Sequence, residues 1–162
     1  MTTKGQFTEE EWARLKRAPF VAGMAISLAD PGGPIELVKE TSAALKTVTA
    51  AEGGARGELI AALAKEAVEG ARHHKNPLDG FKPKGVTAGK EILDEIAAVN
   101  AIVTEKASAE DAEAFRAWLN DAAQEAANAA KEGGFLGFHA TRVSEGEQRM
   151  LDHLREALAP PS

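Results

Sequence analysis

The side chains with the most chemistry in reach are carboxylates. Asp30, Glu36 and Glu40 lie close together in the first half of the chain, and Glu36 and Glu40 are four apart. On a helix that spacing puts both on one face, where like charges repel unless a cation sits between them. A set of oxygen ligands suits Ca²⁺ or Mg²⁺ rather than a transition metal. Glu132 and Glu147 are the acids of the second half that folding could bring to the same place. The plain alternative is a solvated acidic face, diluted by Lys39, and such a face also suits a protein partner.

The other candidates are weaker. His73 and His74 sit beside Arg72 and Lys75 in a stretch of Pro, Gly, Asn and Lys, and read as exposed loop residues. His153 falls at the edge of the buried stripe of the last helix. No HExxH pattern occurs, so zinc-protease chemistry has no support. The segment Gly133-Gly134-Phe135-Leu136-Gly137-Phe138-His139 is the most unusual in the chain. Phe135, Leu136 and Phe138 form either a hydrophobic plug behind a helix C-cap or the apolar lip of a ligand or partner site, with His139 as its polar member. There is no P-loop, no GxSxG and no serine with a visible base. An uncatalogued enzyme stays as a further alternative to a non-enzymatic reading.

These residues must be positioned by helices. The chain has 162 residues, of which 33 are alanine, with aromatic residues at 5% and neither Cys nor Tyr. That excludes a disulfide scaffold, a thiolate metal site and a cysteine nucleophile. It also disfavours all-β structure, which wants more β-branched and aromatic residues. Lys and Arg number 19 against 25 Asp and Glu, a formal charge of −6. A net acidic surface repels phosphate backbones, so no nucleic-acid partner is expected. No apolar run approaches the roughly 20 residues of a transmembrane segment, and the first residues lack the apolar core of a secretory signal. A cytoplasmic location follows as the expectation.

Thr8-Glu9-Glu10-Glu11 predicts a capping box, with Trp12 and Leu15 facing inward. Pro19 predicts the first turn of a second helix, with Phe20, Val21, Met24 and Leu28 on its inner face. Asp30-Pro31-Gly32-Gly33 stops it. A third helix opens at Pro34 (Val38, Thr41, Leu45, Val48), and Glu52-Gly53-Gly54-Ala55 breaks that one. A fourth carries Leu59, Ile60, Leu63, Ala67 and Val68. Residues 73–86 form a central loop. A fifth helix begins near Thr87 (Ile92, Ile96, Val99, Val103). Ser108 caps a sixth (Phe115, Leu119, Ala122 or Ala123, Ala126), whose alanine-rich end lets another helix come close. Ser144-Glu145-Gly146-Glu147 opens the last, with Met150, Leu151, Leu154 and Leu158 inward. The expectation is one all-α domain over 1–162, a compact bundle of about seven helices, with 1–7 flexible.

Two regions share a plan of helix, glycine-rich break, and helix opened by carboxylates. Ala25-Ile26-Ser27-Leu28-Ala29-Asp30, followed by glycine and Glu36, resembles the first signature of the TerB-like (tellurite-resistance-associated) family. Val143-Ser144-Glu145-Gly146-Glu147 with Met150-Leu151 resembles the second. The resemblance implies an all-helical fold and an acidic cluster linked to divalent metal, here Asp30, Glu36, Glu40 and Glu147. It also implies a place in stress response or membrane-associated complexes. Ordinary helix capping accounts for the same residues. The expected function is therefore a non-enzymatic helical domain that binds a divalent cation or a partner through an acidic face. The alternative is an interaction or small-apolar-ligand protein using loop 133–139.

Overall fold

A computed structural model of the chain describes residues 2–29, 34–132 and 145–160, with the side chains of 34–41 and 130–132 outside the description. Among the described residues six α-helices follow in order: α1 (Glu9–Ala29), α2 (Pro34–Ala51), α3 (Glu58–Arg72), α4 (Ala88–Lys106), α5 (Ala109–Glu132) and α6 (Glu145–Ala157). No strand occurs among the described residues. The all-α expectation is met.

The two helices expected on either side of Pro19 are one, so the described residues hold six helices where about seven are expected of the chain. Pro19 lies inside α1, where its missing N–H leaves the Leu15 carbonyl without its usual helical donor. An interior proline costs about 3 kcal/mol in an isolated helix. Here Leu15, Ala18, Pro19, Phe20, Val21 and Ala22 are all buried, so tertiary packing carries the helix through the proline. α1 is the central helix and contacts each of the other five. The single inner face expected beyond Pro19 is accordingly too narrow: Gly23, Ala25 and Ile26 are buried too, whereas Leu28, near the helix end, is 44% exposed.

The ends of the helices are fixed by the residues their sequences suggest. The Thr8 N–H donates to Glu11 Oε2 at 2.8 Å and the Glu11 N–H to Thr8 Oγ1 at 3.1 Å, the two halves of a capping box. Ser108 Oγ accepts from the Asp111 N–H at 3.1 Å to start α5. Residues 2–7, expected as a flexible lead-in, fold as a single 3₁₀ turn (Lys4–Gln6). The Thr2 hydroxyl accepts from the Ser108 N–H, and the Phe7 ring packs 5.8 Å from the Trp12 ring. No α-helix occurs within residues 73–86.

The core is continuous. Trp118 and Phe115 of α5, Ile92 and Ile96 of α4, Leu15 and Ile26 of α1, Ile60 and Leu63 of α3, Val48 of α2 and Leu154 of α6 are fully buried. Each such side chain is worth about 1.5–3 kcal/mol of burial. Within that core α1, α2 and α5 meet along small residues. A Cβ on Gly23 would stand 3.4 Å from the Ala44 Cβ and 4.0 Å from that of Ala126. Ala22, Ala25, Ala43, Ala122, Ala123 and Ala127 are also buried. This is the close approach the alanine-rich end of α5 suggests.

Asn100 ties the end of the chain down. Its amide donates to the carbonyls of Ala157 and Ala159 at 3.2 and 3.0 Å, and its Oδ1 accepts from Arg116 Nε at 2.7 Å. One side chain on α4 thus satisfies carbonyls at the C-terminal end of α6 and holds α5 beside them.

Candidate functional site

Most of the sites expected from sequence fall outside the description. Asp30 and the Phe135, Leu136, Phe138 and His139 loop lie outside the described residues, and of Glu36 and Glu40 only the backbone, in α2, is described. Glu147 is described: it lies in the first turn of α6 and is only 4% exposed. It belongs to a buried surface rather than to a solvated acidic face. No three His, Asp or Glu side chains come together as a metal cluster among the described residues. His73 and His74 are exposed, as expected, and His153, expected at the edge of the buried stripe, is exposed too.

The described residues build a different site. α1 and α3 lie side by side, and the chain leaving α3 folds back over them. The Asn76 side chain accepts from the Leu78 N–H at 3.0 Å, and two backbone turns follow, from Asp79 to Asn76 and from Phe81 to Leu78. Leu78 and Phe81 pack against the core. Arg17 of α1 reaches across and donates from Nη1 to the Asp79 carbonyl at 2.9 Å, with its guanidinium 5.7 Å from the Phe81 ring centre. Gly80 has φ +87°, and a Cβ there would stand 2.7 Å from Arg17 Nη1. Glycine is needed for both backbone and space.

Between these elements is a groove of about 460 Å³, within the range of small-molecule sites. Ala13 and Phe20 of α1, Ala67 and Ala71 of α3, and Pro77 supply its apolar walls, and Lys16, Arg17, Glu66, Lys75 and Asp79 its polar ones.

Its charges divide into those in use and those left over. Glu95 of α4, 7% exposed, accepts from Arg14 Nε at 2.8 Å and from Arg14 Nη2, and Arg17 Nη2 lies 3.5 Å from its other oxygen. The hydrogen-bonded Glu95 carboxylate raises Arg14 above the ordinary guanidinium value. Two guanidiniums thus share one carboxylate. Arg17 is 13% exposed, and its Nε is buried with no hydrogen-bond partner among the described residues. Glu66 accepts from Trp12 Nε1 at 2.8 Å and from Lys4 Nζ at 3.1 Å on both oxygens. Lys16 and Lys75 make no side-chain hydrogen bond or ion pair with the described residues.

The arrangement can hold a small molecule against apolar walls beside cations. Glu66 and Glu95 are engaged by Trp12 and Lys4 and by Arg14 and Arg17, respectively. Sequence reading passed over this site, yet one signal is present. Glu95 sits inside the apolar stripe of Ile92, Ile96, Val99 and Val103, and a charge in a buried stripe demands a buried partner. Compared with family models, with curated proteins and with solved structures, the chain finds no match in any of the three.

Proposed function

We propose that this chain is a non-enzymatic helical binding module and that the groove between α1 and α3 is where it holds a small ligand. The observation that carries this reading is the groove itself: about 460 Å³ with apolar walls, under a loop that Arg17, Gly80 and Phe81 hold in place. Preformed sites of this size and lining are the usual home of small ligands. Because Glu66 and Glu95 are neutralised by fixed partners, they serve the scaffold and leave binding as its task.

A neutral fluorescent probe tests the reading. N-phenyl-1-naphthylamine should brighten with the parent chain, and Ala71→Phe, which fills the groove from one wall, should abolish the response while leaving the melting temperature within a few degrees. Equal brightening by a folded Ala71→Phe contradicts it.

The TerB-like resemblance supports a second reading, in which Asp30, Glu36, Glu40 and Glu147 hold Ca²⁺ or Mg²⁺ and the chain serves a stress-associated role or a protein partner. Its support here is that Glu147 is a carboxylate withdrawn from water at the start of α6. A cation that binds only the folded chain raises its melting temperature by mass action. Melting with Ca²⁺, Mg²⁺, Mn²⁺ or chelator, for the parent and Glu36→Gln, reads this directly. No shift at millimolar cation overturns it.

A further inference from the structure

We propose that the α1–α3 groove selects small amphiphiles with an anionic head, a carboxylate or a phosphate monoester, whose apolar tail lies along Phe20 and Ala71. The inference rests on the groove being the ligand site and adds the class of ligand.

The sign of the charge around the groove carries it. Arg17, in the wall, shares Glu95 with Arg14, on which Glu10 and Glu11 also act. Lys4 and Glu66 cancel. Lys16 and Lys75 make no ion pair with the described residues, Glu69 beside them in the adjoining cleft is paired with Arg72, and the Asp79 carboxylate is exposed. The groups that line the groove, Lys16, Arg17 and Lys75 against Glu66 and Asp79, carry a surplus of one positive charge, on a chain whose net charge is −6. Cations gathered against the overall sign of a protein, beside low-dielectric walls, focus a local field that attracts anions. A guanidinium withdrawn from water that shares its carboxylate also gains most from a new counter-charge.

The layout of these charges favours a small anion over a polyanion. The cations line a pocket instead of a stripe along one face, and the remainder of the acidic surface repels a long phosphate backbone. The volume and the apolar walls ask for a short tail, and the cations ask for one head group. Lys16, half-buried on α1, and Lys75, exposed where the chain leaves α3, flank the opening and are assigned the grip on the head.

Displacement of N-phenyl-1-naphthylamine compares the ligands. Octanoate and octyl phosphate should displace it at roughly tenfold lower concentration than 1-octanol, a difference of about 1.4 kcal/mol. The advantage should shrink with added salt, because exposed charges are screened. Lys16→Glu with Lys75→Glu should remove the advantage of octanoate over 1-octanol, and Asp79→Asn should enlarge it. All three positions are at the surface of the groove, and circular dichroism checks that each variant is folded. If 1-octanol displaces the probe as well as octanoate and Ala71→Phe blocks both, the groove stands as a site and the anionic class falls. If octanoate keeps its advantage in the folded double variant, the lysine grip is wrong. If the probe never binds, both readings fall together. Binding to phosphatidylglycerol vesicles without any response to octanoate overturns the proposal in favour of a membrane headgroup.

Discussion

α1 meets its neighbours in two ways along its length. Around Gly23 it lies against α2 and α5 through a seam of alanines, with no side chain larger than a methyl at the closest point. Around Lys16 to Phe20 it faces α3 across a groove, where α3 presents the small residues Ala67, Gly70 and Ala71. The seam gains its stability from dense packing of small groups, and it leaves no space for anything else. On the groove side, charge and a folded-back loop hold the elements in place: Glu95 anchors two arginines, and Arg17 anchors residues 79–81. The difference also locates function, since a surface packed to the last methyl has nothing to offer a ligand.

Four substitutions break or sharpen this contrast. Glu95→Ala removes the shared counter-charge and leaves two part-buried guanidiniums unbalanced. Breaking such a site costs about 3–5 kcal/mol. A loss below about 1 kcal/mol in chemical denaturation would mean that the groove side is held by packing after all. Gly23→Leu attacks the seam. Its Cβ alone meets Ala44 at 3.4 Å, and the remaining carbons have no room, so about 3 kcal/mol of stability should be lost. A tolerated leucine would show that the seam can open.

Gly80→Ala forces a non-glycine residue to φ +87° and pushes against Arg17. The expected cost is about 1–2 kcal/mol, together with weaker probe binding, because the loop that covers the groove loses its anchor. Unchanged binding would separate the loop from the site.

Glu11→Gln has the smallest effect and serves as a control outside both regions. The Lys106 ammonium, 2.7 Å away, and then the Thr8 N–H hold the Glu11 carboxyl below its ordinary value. A depressed carboxyl binds its proton more readily in the unfolded chain, so its stabilisation is present at neutral pH and is lost as pH falls through the folded value. Glu11→Gln should therefore melt slightly lower than the parent at pH 7. The gap should close in acid, below the ordinary carboxylate value of 4.5. A gap that stays constant with pH would show that Lys106 contributes nothing.

Much of the fold is legible in the sequence because local signals and burial agree. Thr8 and Ser108 cap the helices they suggest, and the stripes of α3, α4 and α5 bury as their spacing requires, except Ala67 of α3, which lines the groove. The alanine-rich end of α5 also reads correctly as a place of close approach. Pro19 misleads because local propensity and tertiary packing oppose each other there, and packing prevails. The groove is hidden for another reason. Its parts come from distant positions: Arg17 from α1, Ala71 from α3, Asp79 and Gly80 from the following loop. No local spacing announces their meeting. Only Glu95, a charge in an apolar stripe, points to the anchor behind it.

The most direct test of the binding reading is a titration of the ¹⁵N-labelled chain with octanoate, followed amide by amide. Shifts should concentrate in Ala13–Phe20, Glu66–Ala71 and Lys75–Asp79, with the amides around Gly23, Ala44 and Ala126 silent. No saturable shift, or shifts centred on the seam or on residues 133–139, would contradict it.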